Sequence, residues 1–405
     1  VVHCIDKESM EWINQRIDRK AYIWWNFPVS DFVRDHILLG PAYGNGLDIA
    51  EDVSGFVSNP MEHAEASKIS LYGIADYTWN MKAYDANKDW EKGLKAVLPD
   101  NYKALRTFAL YNKDLGANGH GFRREEGDEI KDLAAAALTG DKDAINRLGI
   151  KCQELRMAVD VLLADKSNPE LSRELRPWLL QGKNVADYGV AVCTMARNYH
   201  NVDKSASFPS FSDLYQQARA LQVQMYELEN SDVRHALQPG IKVASKVMLP
   251  TLNKLFTLVV DNYNKANGTQ LVNSAEYNPY KIVSDVPQLA LLPITVRGNE
   301  VSVTPSLEVI KWAAGASFTI EGDREIAFAG MDFNMGIPGV AKNFKLELFT
   351  NGAWKEVSLL HYKENDPVIH TGNELGGMSA SKLRITNVSN AEQQVYFKSF
   401  KFIKR

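Results

Sequence analysis

The spacing of apolar and polar positions changes period along this chain, and each period predicts a different kind of element. Near the start, residues 21–29 (AYIWWNFPV) form an apolar, aromatic run closed by Pro28 and followed by Ser30 and Asp31, the pattern of a buried strand that ends at a helix N-cap. A helix is expected to follow over residues 32–40 (FVRDHILLG). Residues 54–58 (SGFVS) repeat the arrangement, with Asn59 as cap, Pro60 at the first helical position and a long helix through about Trp79. Two successive strand-helix units imply parallel strands, which need helices on their faces and cannot close a sheet as a pair. Partner strands are therefore expected before Val1, because the strand near Ala21 would otherwise expose a bare aromatic edge. The first ten residues, VVHCIDKESM, have neither an initiator Met nor a leader pattern, which fits a chain that starts within a longer protein.

From about residue 83 to residue 268 the period becomes helical. Ile145, Leu148, Cys152, Leu155, Val159 and Leu162 advance in steps of three and four, which puts all of them on one helical face, and Leu214, Ala218, Leu221, Met225 and Leu228 do the same. Caps and breakers at Pro99, Asp141, Pro169 and Asp213, with the run from Asp165 to Pro169, divide the region into about five to seven helices. Such stripes belong to the core of an all-α bundle.

After about residue 280 the period shortens to two. Phe344, Leu346 and Leu348 alternate with Lys345 and Glu347, and Asn351-Gly352 supplies a hairpin turn before residues 354–357. The segment from Gln394 to Ile403 reads as a further strand pair or one long strand. Regular turns and many aromatics predict an antiparallel all-β sandwich of about 120 residues.

Composition narrows the function. A length of 405 residues with 45% hydrophobic content suits two or three domains, on a prior of roughly 150 residues each. With 46 basic and 50 acidic residues, the net charge of -4 gives no reason to expect nucleic acid, and neutral substrates fit better. No apolar run reaches the roughly 18 residues a membrane-spanning helix needs. Cys4, Cys152 and Cys193 lack metal-ligand spacing and read as free thiols, two of them on apolar helix faces. GxGxxG after a strand, P-loop, HExxH and GxSxG patterns are all missing, so nucleotide, metalloprotease and serine-hydrolase chemistry lack their usual signatures; no metal and no cofactor are expected.

The candidate chemistry lies in residues 24–31 and 54–60. If strands alternate with helices in a barrel, Asn26, Asp31 and Asn59 fall where strands end and active sites form. A carboxylate accepts hydroxyl protons, a carboxamide donates and accepts, and the Trp24 indole covers the apolar face of a pyranose or an acetyl methyl. Asp31 and Asn59 also stand where N-caps belong, and Trp24 and Trp25 suit packing, so capping and packing account for these residues without a ligand. Asn26 is harder to explain so, because an Asn in an aromatic strand must find partners for its amide. The cluster from Arg123 to Glu129 reads as a solvated helix start, with an acid/base pair or metal site as its alternative. His120 sits in a glycine-bracketed loop, a structural turn or part of a pocket rim.

At IWWNFPVSD (23–31), LLGPAYG (38–44), GFVSNPMEH (55–63), YTWN (77–80) and DLGANGHGFRREE (114–126) the chain resembles glycoside hydrolase family 84, the bacterial O-GlcNAcase and hyaluronidase-like β-N-acetylglucosaminidases. The resemblance covers about the first 130 residues by motif and the helices beyond by position. It implies the end of a (β/α)8 barrel over residues 1–82 and a helical post-catalytic bundle over 83–275, and the strand pattern of residues 276–405 resembles the discoidin-like β-sandwich modules appended to many glycosidases. The family 84 resemblance further implies that Trp24 walls the acetamide pocket and that Asn26, Asp31 and Asn59 bind sugar hydroxyls, Asp31 those at O4 and O6. Many relatives carry Asp between the Trp and the Asn, where this chain has Trp25. The implied chemistry is retaining and substrate-assisted, and is carried by two adjacent aspartates. No AspAsp pair occurs in this sequence, so no catalytic residue is assigned to it.

The expected function is thus the C-terminal part of a β-N-acetylglucosaminidase acting on N-acetylglucosamine-containing glycans, exported to the periplasm or cell surface as bacterial relatives usually are. The alternative is a non-catalytic carbohydrate-binding or interaction module.

Overall fold

The structure, a computed structural model, describes residues 4–114, 126–199, 210–231, 240–358, 367–372 and 374–405. The described residues form two compact units, one running to Ser231 and continuing over Gly240–Tyr277, the other containing Asn278–Arg405.

The first unit opens with α1 (Lys7–Ile17), capped by the Asp6 side chain, then β1 (Ala21–Trp25), β2 (Val53–Ser58) and α2 (Ala64–Trp79). The strands β1 and β2 are parallel, as their repeated strand-helix pattern predicts, with Trp24 opposite Val57 and Trp25 opposite Ser58. Alternation along β1 sends Ile23 and Trp25 into a cluster with Met10, Ile49 and Tyr77, and leaves Tyr22 and Trp24 exposed at 62% and 66%. No other described strand joins this pair.

The predicted helix over residues 32–40 is not there; turns replace it. Ile37, Leu38 and Leu39 are all buried, and a helix would turn one of three such neighbours outward. Their run instead passes extended through the core, with the Leu39 N–H donating to the Asn112 carbonyl at 2.7 Å and the Trp90 indole donating to the Leu39 carbonyl at 2.7 Å. Nor does α2 begin at Asn59 and Pro60. It begins at Ala64, without a side-chain cap from His63. The free amides of its first turn find a carboxylate from far along the chain: Glu65 and Ala66 donate to Glu174 at 3.2 and 3.0 Å.

The helices that follow are α3 (Ala86–Val97), α4 (Tyr102–Ala109), α5 (Lys131–Leu138), α6 (Lys142–Ala164), α7 (Pro169–Tyr199), α8 (Phe211–Glu229) and α9 (Met248–Asn267). The stripe from Ile145 to Leu162 on α6 is buried throughout, and so are Leu214, Ala218, Leu221 and Met225 on α8. Asp141 caps α6 as expected. Asp213 does not cap α8 but stands three residues inside it, forming a capping box with Ser210. Ile37, Leu38, Ile69 and Trp90 share one core with Leu148, Leu155, Val159 and Leu252, so residues on both sides of residue 82 pack together.

The second unit is antiparallel throughout. Its strands are β3 (Tyr280–Ser284), β4 (Ile294–Arg297), β5 (Glu300–Val303), β6 (Val309–Trp312), β7 (Ser317–Asn334), β8 (Phe344–Thr350), β9 (Ala353–Glu356), β10 (Val368–Thr371), β11 (Ser379–Asn387), β12 (Gln393–Tyr396) and β13 (Ser399–Lys404). Nine of them are joined through the long β7. Its first part pairs with β3 and β11, its last part with β10 and β13. Buried positions fall on Phe318, Ile320, Ile326 and Phe328, then switch to Met331 and Phe333, where the register to β13 shifts at Ile403 and Lys404. Asn351 and Gly352 make the expected hairpin between β8 and β9, with φ of 51° and 78°. The segment from Gln394 divides into β12 and β13, which pair with β6 and with β5 and β7 rather than with each other.

Candidate functional site

Residues Asn26 and Asn59 each stand one position beyond the carboxyl end of a parallel strand, and the strand register aligns them. The Asn59 amide N–H donates to the Trp25 carbonyl at 3.0 Å, and the Asn59 carbonyl accepts from Val29 at 2.9 Å. The side chains meet as well. Trp24 Nε1–H donates to Asn26 Oδ1 at 2.7 Å, and Asn59 Nδ2 donates to the same oxygen at 3.2 Å. An indole N–H is only a donor, so its partner must be the amide oxygen, and the orientation of the Asn26 carboxamide follows from the chemistry. The Asn26 Nδ2 group makes no hydrogen bond with any described residue, and the side chain is exposed. The residue that was hardest to explain by packing is thus the hub of the cluster.

Asp31 is exposed in the turn that follows, with its carbonyl accepting from Arg34 Nε at 3.4 Å. Since no helix starts there, Asp31 is not an N-cap, and its carboxylate bonds to no described residue. The same correction applies to Asn59, which caps nothing. Trp25 packs inward, its ring 5.5 Å from that of Tyr77 in an edge-on contact, whereas Trp24 does not pack inward.

Sequence reasoning missed a buried polar network four residues further on. Asp35 and His36 are 8% and 7% exposed. The Asp35 carboxylate accepts from His36 Nδ1 at 2.7 Å and from Lys242 Nζ at 2.9 Å. His36 Nε2 lies 3.0 Å from Ser245 Oγ, which is 2.7 Å from Glu126 Oε1. Burial pushes the Asp35 carboxyl up, but the hydrogen bond and charge of His36, with those of Lys242, outweigh it and hold the group at about 2. Burial dominates at Glu126 and raises its carboxyl above the usual range. The expectation of a solvated acidic helix start fails at Glu126, which is 1% exposed; Asp128 and Glu129 do stand in the turn that leads into α5, Glu129 exposed, and both pair with the buried Lys113. Arg123, Arg124, Glu125 and His120 lie outside the described residues. A charged pair standing directly before the apolar run Ile37–Leu39 was the available signal.

A cavity of about 320 Å3 is lined by Gly40, Pro41, Tyr43, Trp90, Arg106 and Lys113 among others, and includes none of Trp24, Asn26, Asp31 and Asn59.

Comparison with known families agrees with this layout. The NAGidase family, described as beta-N-acetylglucosaminidase, matches residues 1–110, and the family described as "Bacterial GH84, post-catalytic domain" matches residues 130–256 in the same order. Together the two matches support reading residues 1–256 as a C-terminal part of a glycoside hydrolase family 84 protein. Family 84 structures share its fold. CpGH84B is 23% identical, with 63% of this chain and 43% of that one covered at a TM-score of 0.54. CpGH84D is 22% identical, with 63% and 42% covered at 0.54. A variant of the Thermobaculum terrenum O-GlcNAc hydrolase is 20% identical, with 68% and 57% covered at 0.53. The chain therefore spans between 42% and 57% of these structures. A third family, carbohydrate binding module family 32, matches residues 271–334. No helix of the described residues is long and apolar enough to cross a membrane.

Proposed function

We propose that residues 1–82 are the end of the (β/α)8 catalytic barrel of a retaining β-N-acetylglucosaminidase, residues 83–275 its post-catalytic bundle, and residues 276–405 a discoidin-like sugar-binding sandwich. The observation that supports this best is the Trp24–Asn26–Asn59 cluster at the ends of two parallel strands, where the reacting groups of parallel barrels gather. In this reading the Asn26 amide donates to a ring hydroxyl of N-acetylglucosamine, Asp31 accepts from two more, Asn59 adds a further contact and Trp24 walls the acetamide.

The proposed reaction is substrate-assisted. The acetamide oxygen attacks the anomeric carbon as the glycosidic oxygen leaves with a proton, and water then opens the oxazoline with retention. An adjacent aspartate pair orients the acetamide and moves the protons. The sequence contains no two adjacent aspartates, so we assign that pair to barrel strands outside these 405 residues and expect the chain alone to be inactive. N-acetylglucosamine-bearing glycans or glycoproteins are the proposed substrates, and export to the periplasm or cell surface the proposed location.

A second reading, a carbohydrate-binding or interaction module without catalysis, draws its support from the match of residues 271–334 to a sugar-binding module family. One assay separates the two: hydrolysis of a chromogenic aryl N-acetyl-β-glucosaminide by this chain and by a chain extended upstream through the rest of the barrel. Activity in the longer chain only is the expected result. Activity in neither overturns the enzyme reading in favour of the binding module, and activity in the short chain means that its own carboxylates do the chemistry.

A further inference from the structure

We propose that Asp35 and His36 are positioning residues, through which the helices of the first unit hold the turn that presents Asp31; the proposal rests on the reading of Asp31 as a sugar ligand. The turn is short and pinned at both ends. Behind it, Ser58 Oγ donates to the Phe27 carbonyl at 2.7 Å and Val29 donates to the Asn59 carbonyl at 2.9 Å. Ahead of it, Val33 N–H donates to Ser30 and His36 N–H to Val33, both at 2.9 Å, so two successive turns carry the chain from Asp31 to Asp35.

The acceptors of Asp35 are then taken by its neighbour His36 and by two residues from other parts of the unit, Trp178 and Lys242. The Asp35 carbonyl accepts from the Trp178 indole on α7 at 3.1 Å and from the Lys242 amide at 2.8 Å. Its carboxylate takes the Lys242 ammonium and the His36 ring. His36 in turn reaches Ser245, 209 positions away, on the segment that leads into α9. Both the amide and the hydroxyl of Ser245 donate to Glu126, which shortly precedes α5.

Proton accounting makes this chain directional. Ser245 has one hydroxyl proton and two partners. Either it donates to an ionised Glu126 while His36 Nε2–H donates to it, or a protonated Glu126 donates to Ser245 and Ser245 donates to His36. In both arrangements His36 Nδ1–H points at Asp35, so the ring orientation that fixes Asp35 does not depend on where the shared proton sits. Asp31 itself takes no part and keeps its carboxylate for a ligand. The helices thus set where the Asp31 carboxylate stands without touching it.

A residue that acts through Asp31 differs from one that merely stabilises the fold in a double-mutant cycle on kcat/KM, measured with the aryl glycoside in the extended chain. His36→Gln should lower kcat/KM about ten-fold when Asp31 is present. In an Asp31→Ala background the same change should cost less than about two-fold, because the group it positions is gone. Ser245→Ala, which removes one hydroxyl, serves the same cycle if His36→Gln fails to fold. Equal losses in both backgrounds overturn the positioning role while leaving Asp31 a ligand. No effect of Asp31→Ala alone overturns the ligand reading, and the proposal with it.

Discussion

The indole of Trp24 and the carboxamide of Asn59 converge on one atom, the Asn26 side-chain oxygen, at 2.7 and 3.2 Å. Both lone pairs of that oxygen are thereby engaged, and only the Nδ2 hydrogens remain to meet a ligand. Asn26→Asp separates the two ends of the amide. The carboxylate still accepts from Trp24 and Asn59 but donates to nothing. The expected result is a loss of about ten-fold or more in kcat/KM of the extended chain with a thermal midpoint almost unchanged. Retained activity would mean that the donors of Asn26 never touch sugar.

For Asp31→Ala, the absence of a helix at this position removes capping as a source of stability. The expected change in unfolding free energy is within about 0.5 kcal/mol, as for an exposed side chain. Loss of one or two charge-assisted bonds of about 1.5 to 3 kcal/mol each should lower kcat/KM from roughly ten-fold to more than a hundred-fold. Steady-state kinetics beside urea unfolding reads both quantities. Unchanged kinetics in a folded variant would end the ligand role of Asp31.

Acid should loosen the first unit through Asp35. Its folded-state carboxyl is held at about 2 against an ordinary value of 3.8. A depressed carboxylate stabilises the fold at pH values above its unfolded value, and that contribution drains away as pH falls from there through the folded one. After allowance for screening of a group that is not fully enclosed, the contribution is about 1 to 2 kcal/mol. Glu126 works in the opposite sense: its raised carboxyl costs stability as pH rises above the usual carboxylate range. Urea midpoints followed across the acid range should fall steeply for the natural chain and more shallowly for Asp35→Asn. Parallel curves would show that Asp35 does not dominate this limb.

Close helix contact gives a prediction far from the site. A methyl group at Gly189 on α7 would run into the Cys152 sulfur and stand 2.9 Å from Leu252 Cδ1. Gly189→Ala should therefore destabilise by about 1 to 3 kcal/mol, the usual cost of overpacking. Cys152→Ala in the same chain removes the sulfur and should recover part of that loss. Thermal unfolding of the single and double variants checks this, and a simple sum of their separate effects would refute the contact.

Much of this architecture is written in local periodicity. The stripe from Ile145 to Leu162 could only be a helix face, and Asn351-Gly352 could only be a tight turn. Asn26 and Asn59 were legible as strand-end candidates from their motifs, but their meeting with Trp24 at one oxygen was not, because it depends on the register of β1 against β2. What local patterns miss is a partner from elsewhere. Ser30 and Asp31 read as a cap because nothing nearby reveals that Trp178 and Lys242 will claim the backbone at Asp35. Asn59 and Pro60 read as a helix start because the true cap of α2, Glu174, lies 109 positions away. Glu126 read as solvated because its partner Ser245 is 119 positions distant.

The long strand β7 has a consequence for how the second unit is made. Tyr280 at the beginning of the unit pairs beside Gly322, and Lys404 at its very end pairs beside Phe328, so the earliest and latest strands to be synthesised meet on one backbone. Closing so long a loop before the pairing is rewarded slows folding. On the ribosome the unit cannot be completed until its final residues have left the exit tunnel. Until then the half of β7 that waits for β13 offers an open edge, a feature prone to association with other chains.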